Sequence, residues 1–158
     1  GQYLGAREPS IAKQMVYKAI LLGTLLEATM GLVFLVFAEP IVRFFSQDPV
    51  VVQLGATVMH FAIVWMVFDA LTMISMFALR GVGDVLWSMV ISLLFGYGVR
   101  LPLVYLFSFT LGFGFFGAWF GLIVAFVAWG LTLYTRFARG HWMKRYEAID
   151  RLVPEAAS

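Results

Sequence analysis

Polar residues fall at only a few places along this chain, and they divide it into four long apolar runs. These cover residues 15–37, 51–79, 85–109 and 114–137, and each exceeds the roughly 20 residues that a helix needs to cross a bilayer. No run alternates apolar and polar residues with a period of 2, and an open sheet in lipid would leave backbone groups unpaired. The pattern predicts an all-α membrane protein. Its four transmembrane helices fill residues 15–137, between a cytoplasmic leading segment (1–14) and a basic cytoplasmic tail (138–158).

The breaks between runs carry boundary chemistry. In "SQDPV", Asp48 is expected as N-cap with Pro49 at the first helical position. In "RGVGD", Arg80 complements the dipole at the end of the second helix, Gly81 and Gly83 make the turn, and Asp84 is expected to cap the third helix. Pro102 removes a backbone hydrogen bond within that helix, so a kink is expected beside Arg100. The link "GFGFFG" has almost no polar residues and reads as short and shallow. The tail "RFARGHWMKRYEAIDR", with Trp142 and Tyr146, predicts a short interfacial C-terminal helix.

Composition narrows the function. The chain of 158 residues is 62% hydrophobic and 13% charged, against about 45–50% and about 25% in soluble domains. A net charge of +2 is too small to imply nucleic acid, and the absence of cysteine excludes disulfides, thiolate metal sites and thiol catalysis. The polar start lacks the apolar core of a signal peptide. Arg7, Lys13 and Lys18 flank one end, Arg136, Arg139, Lys144, Arg145 and Arg151 the other, and Arg80 lies in the second turn. The positive-inside rule therefore expects both ends and that turn in the cytoplasm.

A few polar residues lie at membrane depth. Asp69 shares a helical stripe with Met59, Ala62, Met66, Met73, Met76 and Arg80, flanked by Trp65 and Thr72. A charge at the bilayer centre costs at least ~2.5–3.5 kcal/mol, so such a residue ordinarily marks an ion, proton or substrate path. Methionine is flexible and polarizable, which suits a surface that accepts varied lipophilic cations. The competing reading makes the stripe ordinary core and Asp69 a partner of a nearby hydroxyl. Glu27 lies between Gly23 and Gly31 on a small-residue face that lets a helix approach. A hydrogen-bonded structural role and a cavity role are both open for it. Arg100 is expected to snorkel, and His60 to be a packing residue. No metal-ligand pair of histidines, GxSxG or HExxH occurs, so neither an enzyme nor a cofactor is expected.

Several of these stretches together resemble one family, the multidrug and toxic compound extrusion (MATE) transporters. "GQYLGA" resembles the motif before the third helix of each MATE half, "FFSQDPVV" the segment before the next, and "ALRGVGD" its Arg–Gly–x–Gly–Asp turn. "VRLPLVYLF", "GFGFFGAWFG" and "ARGHW" are similar to the later motifs, in family order, over about residues 1–145. The resemblance implies four helices of a six-helix MATE lobe, the ninth to twelfth of twelve. It implies exchange of Na⁺ or H⁺ for organic cations across the inner membrane of a prokaryote. Asp69 would then be the coupling-cation residue, and the metal ligand if Na⁺ is used. Asp48, Trp65, Met66, Met73 and Glu27 are candidates for the substrate cavity. The N-terminal lobe and the first two helices of this lobe are lacking, and the chain begins at Gly1, so it is expected to be a fragment that does not transport alone. A flippase for lipid-linked sugars and a small non-transporting membrane subunit are the rival readings.

Overall fold

The computed structural model describes residues 8–140 together with 142 and 143. Four helices make up the described chain: α1 (Pro9–Phe45), α2 (Pro49–Gly81), α3 (Val85–Thr110) and α4 (Gly114–Ala138), all long and apolar enough to cross a membrane. Half of the leading segment (1–7), and residues 141 and 144–151 of the expected interfacial helix, lie outside the described residues.

The first helix is longer than its apolar run. Its 37 residues span about 55 Å at 1.5 Å per residue, well beyond a hydrocarbon core of ~30 Å. Pro9 opens it at a position where no backbone donor is needed. It continues past Phe37 because Pro40 bends the helix without ending it, and the bend appears as non-helical angles at Phe37 (φ −107°, ψ 15°). The bend is the expected effect of a ring that blocks the carbonyl four residues back.

Asp48 caps α2 as expected, its carboxylate accepting from the Val50 N–H at 2.8 Å with Pro49 next in the helix. Gly83 makes the following turn with φ +83°, a left-handed conformation that favours glycine, while Gly81 forms the last residue of α2. Asp84 departs from expectation. It stands at the start of α3, but its side chain makes no cap bond. Arg136 of α4 donates to it instead, Nε to Oδ2 at 3.0 Å, and a guanidinium outcompetes a backbone amide for a carboxylate.

Pro102 also acts differently from a simple kink. Two π-helical stretches, Leu94–Val99 and Leu106–Thr110, flank the segment that holds it. The wider turn of the first is one way a helix adjusts when a proline removes a donor.

The helices pack in the order α1, α2, α4, α3, with α1 antiparallel to α2. Glycines set the approach. A Cβ on Gly31 would lie 3.2 Å from the Ile63 Cα, one on Gly130 2.7 Å from the Thr72 Oγ1, and one on Gly121 2.8 Å from the Leu103 carbonyl oxygen. Met76, Leu79, Leu133, Phe137 and Trp142 form the buried cluster at the Arg80 end. Trp142 was expected at the lipid interface, but it is buried: it stacks on Phe137 with centroids 5.5 Å apart and donates its indole N–H to the Phe137 carbonyl. That bond satisfies a helix-end carbonyl and the indole together.

Two outcomes test this packing. Gly121→Val should destabilise the bundle by about 1–3 kcal/mol, because backbone cannot yield as a side chain does, whereas Gly81→Ala should change stability by under ~0.5 kcal/mol. Asp48→Ala should cost about 1 kcal/mol and Asp48→Asn far less, since both Asp and Asn cap. Thermal unfolding in detergent reads all four variants.

Candidate functional site

Asp69 sits on α2 between two faces of that helix. Ile63, Ala70 and Ile74 meet α1, as shown by the Gly31 and Gly23 contacts, while Phe68, Thr72 and Trp65 meet α4 at Gly130 and Phe126. With about 100° between successive residues, Asp69 falls between those faces. It is half-buried and has no hydrogen-bond or ion-pair partner among the described residues. The nearby hydroxyl is engaged elsewhere: Thr72 Oγ1 donates to the Phe68 carbonyl at 2.6 Å.

Glu27 lies on the face of α1 that meets α2. A Cβ on Gly23 would touch Ile74 and one on Gly31 would touch Ile63. Glu27 is midway between those glycines, and Asp69 is midway between those isoleucines to within a residue. The two carboxylates therefore stand at one level on adjacent antiparallel helices. Glu27 is also half-buried, with no partner among the described residues.

The methionine stripe divides. Met66 and Met73 are partly buried beside Asp69, but Met76 is buried in the core, its sulfur 3.6 Å from the Ser92 hydroxyl. Met73 packs against that core as well. The Trp65 ring lies tilted against Phe126 with centroids 5.6 Å apart, and its buried indole N–H lacks a partner among the described residues. Arg100 is half-buried beside Pro102.

At the far end of α1 and α2 lies a cleft of about 430 Å³, lined by polar Glu39, Arg43, Gln47, Gln53, Thr57 and His60. His60 is exposed there, which corrects its reading as a packing residue. Glu39 pairs with Arg43 at 2.6 Å. Asp48 adjoins this end but is spent on its cap. The cleft is not evident in the sequence because one wall comes from the end of α1 around Pro40, which the apolar run does not reach, and the other from the first turns of α2. The signal was present in part: Glu39 and Arg43 stand four apart on one face of α1, and Gln47 follows just beyond its end. No group of three or more metal-ligating side chains occurs among the described residues.

Comparison with known proteins bears on this arrangement. The chain is 26% identical over 145 residues to a probable multidrug resistance protein NorM of Thermotoga maritima, covering 92% of this chain and 31% of that protein. It is 23% identical to an uncharacterized transporter, YisQ, of Bacillus subtilis, covering 92% and 32%. With the multidrug resistance protein PmpM of Pseudomonas aeruginosa the identity is 32%, over 78% of this chain and 27% of the other. The chain thus spans about a third of the length of these curated relatives. No solved structure is a significant match. The MatE family model matches residues 1–106, about two thirds of the chain and all of α1 and α2, and the chain therefore belongs to the MatE family.

Proposed function

We propose that this chain is the last four helices of a cation-coupled multidrug antiporter, which exports organic cations by alternating access. The observation that carries the reading is Asp69: a carboxylate in the middle of an apolar helix, half-buried, with no partner among the described residues. Removing a carboxylate from water is costly, and a bound cation or proton offsets that cost. The coupling ion, Na⁺ or H⁺, is held at Asp69. Glu27 faces the same level from α1 and adds a second negative charge or a second proton acceptor. One or two carboxylates do not complete a metal ion's coordination, so further oxygens come from helices outside this chain.

Trp65, Met66 and Met73 lie on the same stretch of α2 and supply polarizable, adaptable contacts for an apolar cation. Asp48, in the connection between α1 and α2, attracts cations toward that mouth. Taking up a proton or Na⁺ neutralises Asp69 and changes its preference between a solvated and a desolvated state. That difference is what allows an ion gradient to bias two conformations of the transporter. Both ends of the chain and the Arg80 turn face the cytoplasm, in a prokaryotic inner membrane, as the basic residues favour. The N-terminal lobe and the two helices that precede α1 are the partners that complete the transport path.

In the full-length protein, Asp69→Asn should abolish gradient-driven efflux of a fluorescent organic cation. A loss of at least about tenfold is expected, the factor that ~1.4 kcal/mol of lost cation affinity produces. The protein level in the membrane should be unchanged. Efflux that persists at the unsubstituted rate would remove Asp69 from the coupling mechanism.

A further inference from the structure

The α3–α4 pair is packed unevenly along its length. From Arg100 to Thr110, α3 lies closely on α4, backbone against backbone at Gly121 and Gly117. From Val85 to Leu93 it touches α4 only sparsely, so the two helices diverge toward the Arg80 end. Trp87 and Ile91 fill the opening by packing against the Leu79, Leu133 and Phe137 cluster. One polar tie spans it among the described residues. Arg136 Nε donates to Asp84 Oδ2 at 3.0 Å, and the guanidinium lies 4.8 Å above the Trp87 ring.

This tie differs from an ordinary surface pair. The Asp84 side chain is 12% exposed and its residue is buried, so losing Arg136 would strand a desolvated charge. Asp84 is also fixed to α2 by its own N–H, which donates to the Leu79 carbonyl at 2.9 Å. The pair thus joins the α2–α3 turn to α4. Just beyond the divergent section comes the π-helical stretch Leu94–Val99, with Gly96 and Gly98 inside it, and a Cβ on Gly96 would meet nothing within 4 Å. Its wide turn and two glycines make that stretch a place where α3 can bend.

We propose that the Asp84–Arg136 pair is a latch that holds the Val85–Leu93 section of α3 against α4 across Trp87, and that its release lets this section swing about Leu94–Val99. The Arg100–Thr110 section stays on α4 in both states, held at Gly117 and Gly121. Neither Asp84 nor Arg136 touches the Asp69 region; they are positioning residues.

The test reads accessibility, not transport, and so stands apart from the reading of Asp69. Ser88 is fully buried in the divergent section, and this chain has no cysteine. In the full-length protein in lipid nanodiscs, on a cysteine-free background, Ser88→Cys should react slowly with a water-soluble maleimide. Adding Asp84→Asn or Arg136→Gln should speed that reaction by about tenfold or more, as expected when a buried pair is broken. The charge swap, Asp84→Arg with Arg136→Asp, should restore most of the protection. Ser75→Cys, equally buried on α2, should stay slow throughout. Slow labelling of Ser88→Cys in both single variants overturns the latch, as does a swap that labels as fast as the singles. Acceleration of Ser75→Cys in step with Ser88→Cys, or failure of the single variants to accumulate, also overturns it, because the pair would then support the whole bundle.

Discussion

A leucine in lipid gains little by moving from acyl chains to another helix, so apolar burial cannot hold this bundle as it holds a soluble core. Close backbone approach takes its place, and the α1–α2, α2–α4 and α3–α4 pairs depend on glycine for it. Gly23 and Gly31 admit Ile74 and Ile63 between α1 and α2; Gly130 admits Thr72 between α2 and α4; Gly121 admits the Leu103 backbone between α3 and α4. Dispersion over these seams, with the few polar ties at the Arg80 end, does the rest. The same constraint sorts the side chains. Thr72, Ser75 and Ser88 are fully buried alongside Leu79, Leu133 and Phe137, while many leucines of α1 and α3 are exposed.

Features that rest on local chemistry were readable from the residues. Helix starts at Pro49 and Val85, the Asp48 cap and the Gly83 turn each need only neighbouring residues, and the apolar runs are long enough to announce their helices. What went unread depends on partners distant in the chain. Asp84 has the sequence of a cap, but Arg136, 52 residues later, takes its carboxylate. Trp142 has the sequence of an interfacial anchor, but Phe137 offers it both a ring and a carbonyl. The continuation of α1 past Pro40 was hidden because a proline in a helix bends or ends it, and the choice depends on packing such as that of Val42 on Gly55. The polar cleft with His60 followed from that same continuation. The candidate site lies between these cases. Asp69 stood out at once as a carboxylate in an apolar run, whereas its levelling with Glu27 required the antiparallel register set by the glycines.

That levelling changes how the two acids should be considered. Both side chains are half-buried and without a partner among the described residues, so each carries a desolvation cost that a bound cation or proton would offset. Under the proposed antiport, Glu27 is the nearest acidic candidate at that level to stand beside Asp69, on α1 where Asp69 is on α2.

The exposure of the helices points the same way. In the described chain α2 is flanked on two sides, by α1 and α4, and Asp69 lies on neither flank. The stretch of α2 around it is half-buried by this chain alone, and α3 meets α2 mainly through its Val85–Leu93 section, where Ser92 touches Met76. A carboxylate left so would face acyl chains, the least favourable surroundings available to it. A cover from outside these helices would remove that cost, and the curated relatives have about twice as much additional chain as this one contains. On the proposed reading that covering is the preceding helices of the same lobe, and the ion site is complete only where they meet α2.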